Sequence, residues 1–136
     1  MQGPIASALA AVLIAGTVGA SDARPPLREV QEIDGGLLAV AIADEIRNRC
    51  DDIEARMLRA LMTLNRLENR ARDLGYTKAE IDAYVNSKDE KARMRVLGER
   101  YVRQQGADPD DTASLCELGR QEIARGSAIG VLLREK

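Results

Sequence analysis

Two cysteines, Cys50 and Cys116, are the side chains here with the widest chemical repertoire, and the 136-residue chain has no histidine to serve either of them. That absence removes Ser-His-Asp and Cys-His catalysis, imidazole metal sites and the usual switch near neutral pH. Zinc normally takes four ligands, so two thiolates alone fall short of a site. A nucleophilic thiolate wants a neighbouring base, and Arg47 and Arg49 beside Cys50 could only lower its pKa. Carboxylates are the other candidates. Asp51, Asp52 and Glu54 follow Cys50 directly, and Asp108, Asp110 and Asp111 lie in the stretch DPDD. A hydrolase built from Asp51, Asp52, Glu54 and Asp108 would need a second carboxylate across a cleft, and nothing in the spacing supplies one. A calcium loop would need further oxygen ligands at fixed steps and a central glycine, and both are missing. Helix capping is the simpler reading of each cluster. No catalytic, metal-binding or cofactor-binding residue is therefore assigned, and no cofactor or small-molecule substrate is expected.

The compartment bears on the cysteines. Residues 5–18 are an apolar run rich in small residues, and the stretch ends in VGA at residues 18–20, which suits signal peptidase. We expect residues 1–20 to be a cleaved signal peptide ending at Ala20, with Ala23 as the second choice of site. A retained membrane anchor and a cytosolic helix are the rival readings, and the lack of Lys or Arg ahead of the run is atypical of a signal. Export to the periplasm would put the cysteines in an oxidising medium, where an even number favours pairing. A structural Cys50–Cys116 disulfide leads; two buried free thiols and redox use stay open as alternatives.

The elements that must position these residues read as helices throughout. Residues 21–32 form an extended, exposed lead-in held out of helix by Pro25 and Pro26, and residues 33–136 form one domain. A first helix is expected from Asp34 to Cys50, with Leu38, Ile42 and Ile46 on one stripe. Asp51 or Asp52 should cap a second helix that turns Ile53, Met57, Leu58, Leu61, Leu64, Leu67, Ala71 and Leu74 inward and stops at Gly75. A capping box of Thr77 with Glu80 opens the third helix, and Ser87 with Glu90 opens the fourth, which ends at Gly106. Asp108 with Pro109 at the first helical position should open the fifth, and Ser127 a last helix over SAIGVLLREK. That last segment reads as core, with a partner-binding helix as its rival. The fold class is all-α: a compact bundle of four to six short helices, stapled by one disulfide.

Hydrophobic residues make up 45% of the chain, but aromatics only 2%, with three tyrosines and no Phe or Trp. The core must be aliphatic. A net charge of −2 and a pI near 5.3 give no pull toward nucleic acid. Arginines crowd residues 47–72, with acidic residues interleaved. A solvated, salt-bridged face is the first reading; a docking face for an acidic protein partner, using Arg56, Arg59, Arg66 and Arg70, is the second.

The stretches GGLLAVAIADEIRNRC, ARMLRAL, ARDLGYTKAEIDAYV, KARMRVLGERYVRQQGA and CELGRQEIARGSAIGVLLR together resemble a family of small secreted alphaproteobacterial proteins of unknown function, over residues 33–134. The resemblance implies no catalytic motif. It implies a match of both cysteines with those of the family, and association with the respiratory NADH dehydrogenase as an accessory subunit on its periplasmic side. The expected role is thus a non-enzymatic interaction or scaffold protein, touching a membrane only indirectly through its partner. A small periplasmic helical chaperone, or an immunity or inhibitor protein against an exported enzyme, is the alternative.

Overall fold

The computed structural model describes Gly16 and residues 24–136; the expected signal peptide lies almost wholly outside the described residues. Five α-helices follow one another: α1 (Gln31–Arg49), α2 (Met57–Asp73), α3 (Lys78–Asn86), α4 (Lys88–Gln104) and α5 (Thr112–Arg125). The all-α bundle expected from the sequence is therefore the fold, with one addition. Two three-residue strands, β1 (Ile53–Ala55) and β2 (Leu133–Glu135), pair antiparallel with Glu54 opposite Arg134.

α1 is the organising element and packs against α2, α4 and α5. Its stripe of Ala39, Ile42, Ala43 and Ile46 meets Val102 of α4, Leu115 and Leu118 of α5, and the chain end at Ile129, Leu132 and Leu133. A second, smaller core joins Leu27, Ile33, Ala71 and Ile81. Leu27 corrects the expected lead-in. Pro25 and Pro26 are exposed as foreseen, but Leu27 opens a 3-10 turn with only 5% of its surface exposed. Polar contacts reinforce this start. The Arg24 guanidinium lies 4.3 Å from the Tyr76 ring centroid, and the Tyr76 hydroxyl donates to the Pro25 carbonyl at 2.7 Å.

Several helix signals hold and others move. Gly75 and Gly106 do end α2 and α4, with φ of 99° and 82°, a region glycine enters without strain. Ser87 accepts from the Glu90 amide at 3.3 Å. The carboxylate of Glu90 turns inward to Arg28 and Arg93, so Ser87 caps α4 without a reciprocal box. Asp51 and Asp52 do not cap α2: they sit in a turn before β1, and α2 begins after Arg56 with no side-chain cap. Asp108 does not cap α5 either. It accepts from the Asp110 amide at 2.9 Å within a turn, and Asp111 is the cap, accepting from the Ala113 amide at 3.0 Å. Pro109 is consequently outside the helix, buried, with its carbonyl accepting from Arg49 at 2.5 Å.

The Thr77–Glu80 box is complete in both directions. Burial pushes the Glu80 carboxyl up, but the Thr77 hydrogen bonds and the Arg24 cation outweigh this and hold it below its ordinary value. Stability from a lowered carboxyl is present above its unfolded-state value and is lost as pH falls through the folded one. Thr77→Ala should cost about 1 kcal/mol in urea unfolding at pH 7. That difference should shrink in acid as Glu80 is protonated; an undiminished difference would mean the carboxylate plays no part.

Candidate docking face

Each residue singled out in the sequence now has a position. Cys50 and Cys116 form a disulfide with an S–S distance of 2.05 Å, joining the end of α1 to the first turns of α5. No free cysteine remains among the described residues. The carboxylates named as hydrolase candidates do not converge on one cleft. Asp52 pairs with Arg120 at 2.9 Å and Glu54 with Arg134 at 2.5 Å, Asp51 is exposed, and Asp108 serves its turn. No group of three or more potential metal ligands occurs among the described residues, and none of their helices is long and apolar enough to cross a membrane.

The arginine-rich segment divides into two populations. Arg47 pairs with Asp44, Arg49 with Glu45 and Arg72 with Glu68, all within their own helices, and Arg70 reaches Glu32 of α1 at 3.1 Å. These match the salt-bridged reading. Arg56, Arg59 and Arg66 are exposed and have no ion-pair partner among the described residues.

Beside them lies a surface that the sequence pattern misassigned. Met57 is 57% exposed, Leu58 74%, Leu61 54% and Met62 63%, although Met57, Leu58 and Leu61 were expected to point inward. α2 buries only Leu67 and Ala71 fully. Leu58 and Leu67 are about two and a half turns apart at 3.6 residues per turn, so they face opposite ways. Leu58 and Met62, one turn apart, mark an outward apolar ridge, whereas Arg59 and Arg66 run along one flank of it. Phase was the available signal: the apolar residues of α2 occupy more of the helix circumference than one packed stripe requires. Ile53, also expected on this helix, is instead buried in β1, where its side chain joins the main core.

On the other edge of the ridge, Leu64 lines a groove of about 640 Å³. α1 contributes Leu37, Val40 and Ala41 to it, α4 contributes Met94 and Gly98, and Tyr84 and Val85 of α3 stand at one end. This surface is largely apolar along its middle, with charged side chains toward its ends. What it can do is bury area against another molecule.

The family model matches residues 25–134, nearly the whole described chain. The chain belongs to DUF5333, a family of unknown function. The match spans both 3-10 segments and the five α-helices of the described residues, with both cysteines. Neither a curated protein nor a solved structure matches the chain.

Proposed function

We propose that this DUF5333 protein is a non-enzymatic interaction subunit of the periplasm, docking a protein partner through the outward face of α2. The observation that carries this reading is the ridge of Met57, Leu58, Leu61 and Met62 beside Arg56, Arg59 and Arg66, which have no ion-pair partner among the described residues. Exposed contiguous apolar surface rimmed by polar residues marks interaction sites, and methionine and arginine are enriched at them. Arg70 supports the same flank while it is tied to Glu32. The disulfide is compatible with an extracytoplasmic compartment, and the apolar run at residues 5–18 supplies the export reading. The resemblance noted above points to a membrane-bound respiratory complex, of the NADH dehydrogenase kind, as the partner.

The test is a pull-down with the C-terminally tagged chain from native membranes in mild detergent, followed by mass spectrometry. Stoichiometric recovery of a respiratory complex is the expected result. The Leu58→Asp, Arg59→Glu, Arg66→Glu triple variant should keep its helical circular dichroism and lose at least about 90% of that recovery, since central apolar and arginine contacts dominate interfaces. A monomer that never co-purifies with a membrane complex would overturn the assignment. The same exposed ridge favours a second reading, a chaperone for unfolded chains. That reading requires further apolar surface to open in acid, so a dye titration that stays flat to about pH 3 would eliminate it.

A further inference from the structure

An open groove runs along one side of α1. The residues of α1 that line the groove run from Leu37 to Arg49, about 18 Å at 1.5 Å per residue, or roughly three helical turns. Leu37, Val40 and Ala41 stand at the i, i+3, i+4 spacing with which a helix meets another helix. α1 and α4 run in the same direction here. Asp34 near the start of α1 pairs with Arg93 in the second turn of α4, and Arg49 at the end of α1 reaches Pro109 beyond the end of α4.

The charges around the groove are polarised along this axis. At the end bounded by Tyr84, α4 presents Lys91 and Arg95, which have no ion-pair partner among the described residues, while Glu90, which also lines this end, is held by Arg28 and Arg93. Toward the other end the lining carboxylates are Asp44, Glu45, Glu99 and Asp110. Asp44, Glu45 and Glu99 each have an arginine partner in their own helix, and Arg49, the partner of Glu45, lines this end too; the carboxylate left without an ion-pair partner among the described residues is Asp110. A helix carries partial positive charge at its N-terminus and partial negative charge at its C-terminus. Its C-terminal end would be stabilised beside Lys91 and Arg95, and its N-terminal end beside Asp110.

We infer that the groove takes a three-turn amphipathic helix from a protein partner, antiparallel to α1, with basic residues in its first turn and acidic residues in its last. The inference shares with the proposed function only the idea that the ligand is a protein. It uses a different surface, so the two fail separately. A small polar ligand is the weaker fit, because no buried side-chain donor or acceptor among the described residues lacks a partner and waits for one.

Two labelled 14-residue probe peptides decide the matter by fluorescence anisotropy with the full chain. Both carry leucines at i, i+3, i+4 and i+7; one has two lysines first and two glutamates last, and the other has these charges exchanged. The lysine-first peptide has end charges opposed to its own dipole, so its helicity when free is measured by circular dichroism; after correction for that, it should bind about tenfold more tightly through its charges against those of the groove. Ala41→Arg, at an exposed position of α1, should abolish its binding, and Val85→Glu, which adds an anion to the lining that holds Lys91 and Arg95, should shrink the preference. Leu58→Asp on the outer face of α2 should leave binding unchanged. Equal affinity for both peptides, failure of either to bind, or binding that survives Ala41→Arg would overturn the inference. Displacement of the peptide by phosphatidylglycerol vesicles would also overturn it, in favour of a lipid occupant. Loss of the respiratory complex from the pull-down with peptide binding intact would sink the proposed function and leave the groove as a docking site.

Discussion

Reduction of the Cys50–Cys116 bond is expected to cost about 4 kcal/mol of folding stability and lower the melting temperature by about 15 °C. The two cysteines are 66 residues apart, and the loop between them contains β1, α2, α3 and α4. Cross-linking so long a loop removes much of the freedom of the unfolded chain, which is where the stabilisation arises in the chain-entropy account. The native side is equally dependent. Cys50 ends α1 and leads within three residues into Ile53 of β1, and Cys116 lies among Leu115 and Leu118 of α5. Both sulfurs belong to a core with no Phe or Trp to add buried area. Urea unfolding of oxidised and alkylated reduced protein measures the difference. The denaturant dependence should steepen on reduction, because the freed chain exposes more surface when unfolded. A shift below about 1 kcal/mol, with mass spectrometry confirming two alkylated thiols, would refute the prediction and place the stability in packing alone.

The helices and most of their stops were legible because caps, stripes and glycines agreed locally. Thr77 with Glu80 and Gly106 are cases where one short stretch contains the whole signal. DPDD was not resolvable in that way: three carboxylates within four residues can each cap, and the choice of Asp111 depends on Pro109 packing beneath Arg49, a contact 60 residues away in sequence. The strands were invisible for a related reason. Three residues are too few to show a period of two, and β1 exists only because the chain end returns to pair with it. Leu58, Leu61 and Leu67 looked alike in sequence; which of them pack is decided by where α1 lies. The apolar ridge beside the arginines was mistaken for core.

The chain end also explains the second large effect, expected for Glu122→Ala at about 3–5 kcal/mol, the range for removing one partner of a buried charged network. Glu122 is fully buried in α5. Its carboxylate accepts from the Tyr101 hydroxyl of α4 at 2.6 Å and from Arg125, and on its other oxygen from the Ser127 hydroxyl. Ser127 Oγ in turn accepts from the Gly130 amide at 2.9 Å. This network is what bends the last segment, expected as a helix, into a turn, a 3-10 segment and β2. Gly130 fits against it only because it lacks a side chain: a Cβ there would lie 1.8 Å from the Glu122 carbonyl oxygen. Burial pushes the Tyr101 hydroxyl above its ordinary pKa, and its hydrogen bond to Glu122 and that residue's charge push it further. A raised group contributes stability that is complete below its unfolded value and lost as pH rises through the folded one, so this contribution should fade only above about pH 10. Tyr101→Phe should cost less, about 1–2 kcal/mol, and should remove that alkaline loss. Hydrogen exchange distinguishes the network from general weakening. In Glu122→Ala the Arg56 and Lys136 amides, which donate to Leu132 and Asp52, should lose protection before those of α1. Uniform loss across the chain would mean that Glu122 supports the core as a whole rather than the docking of its last strand.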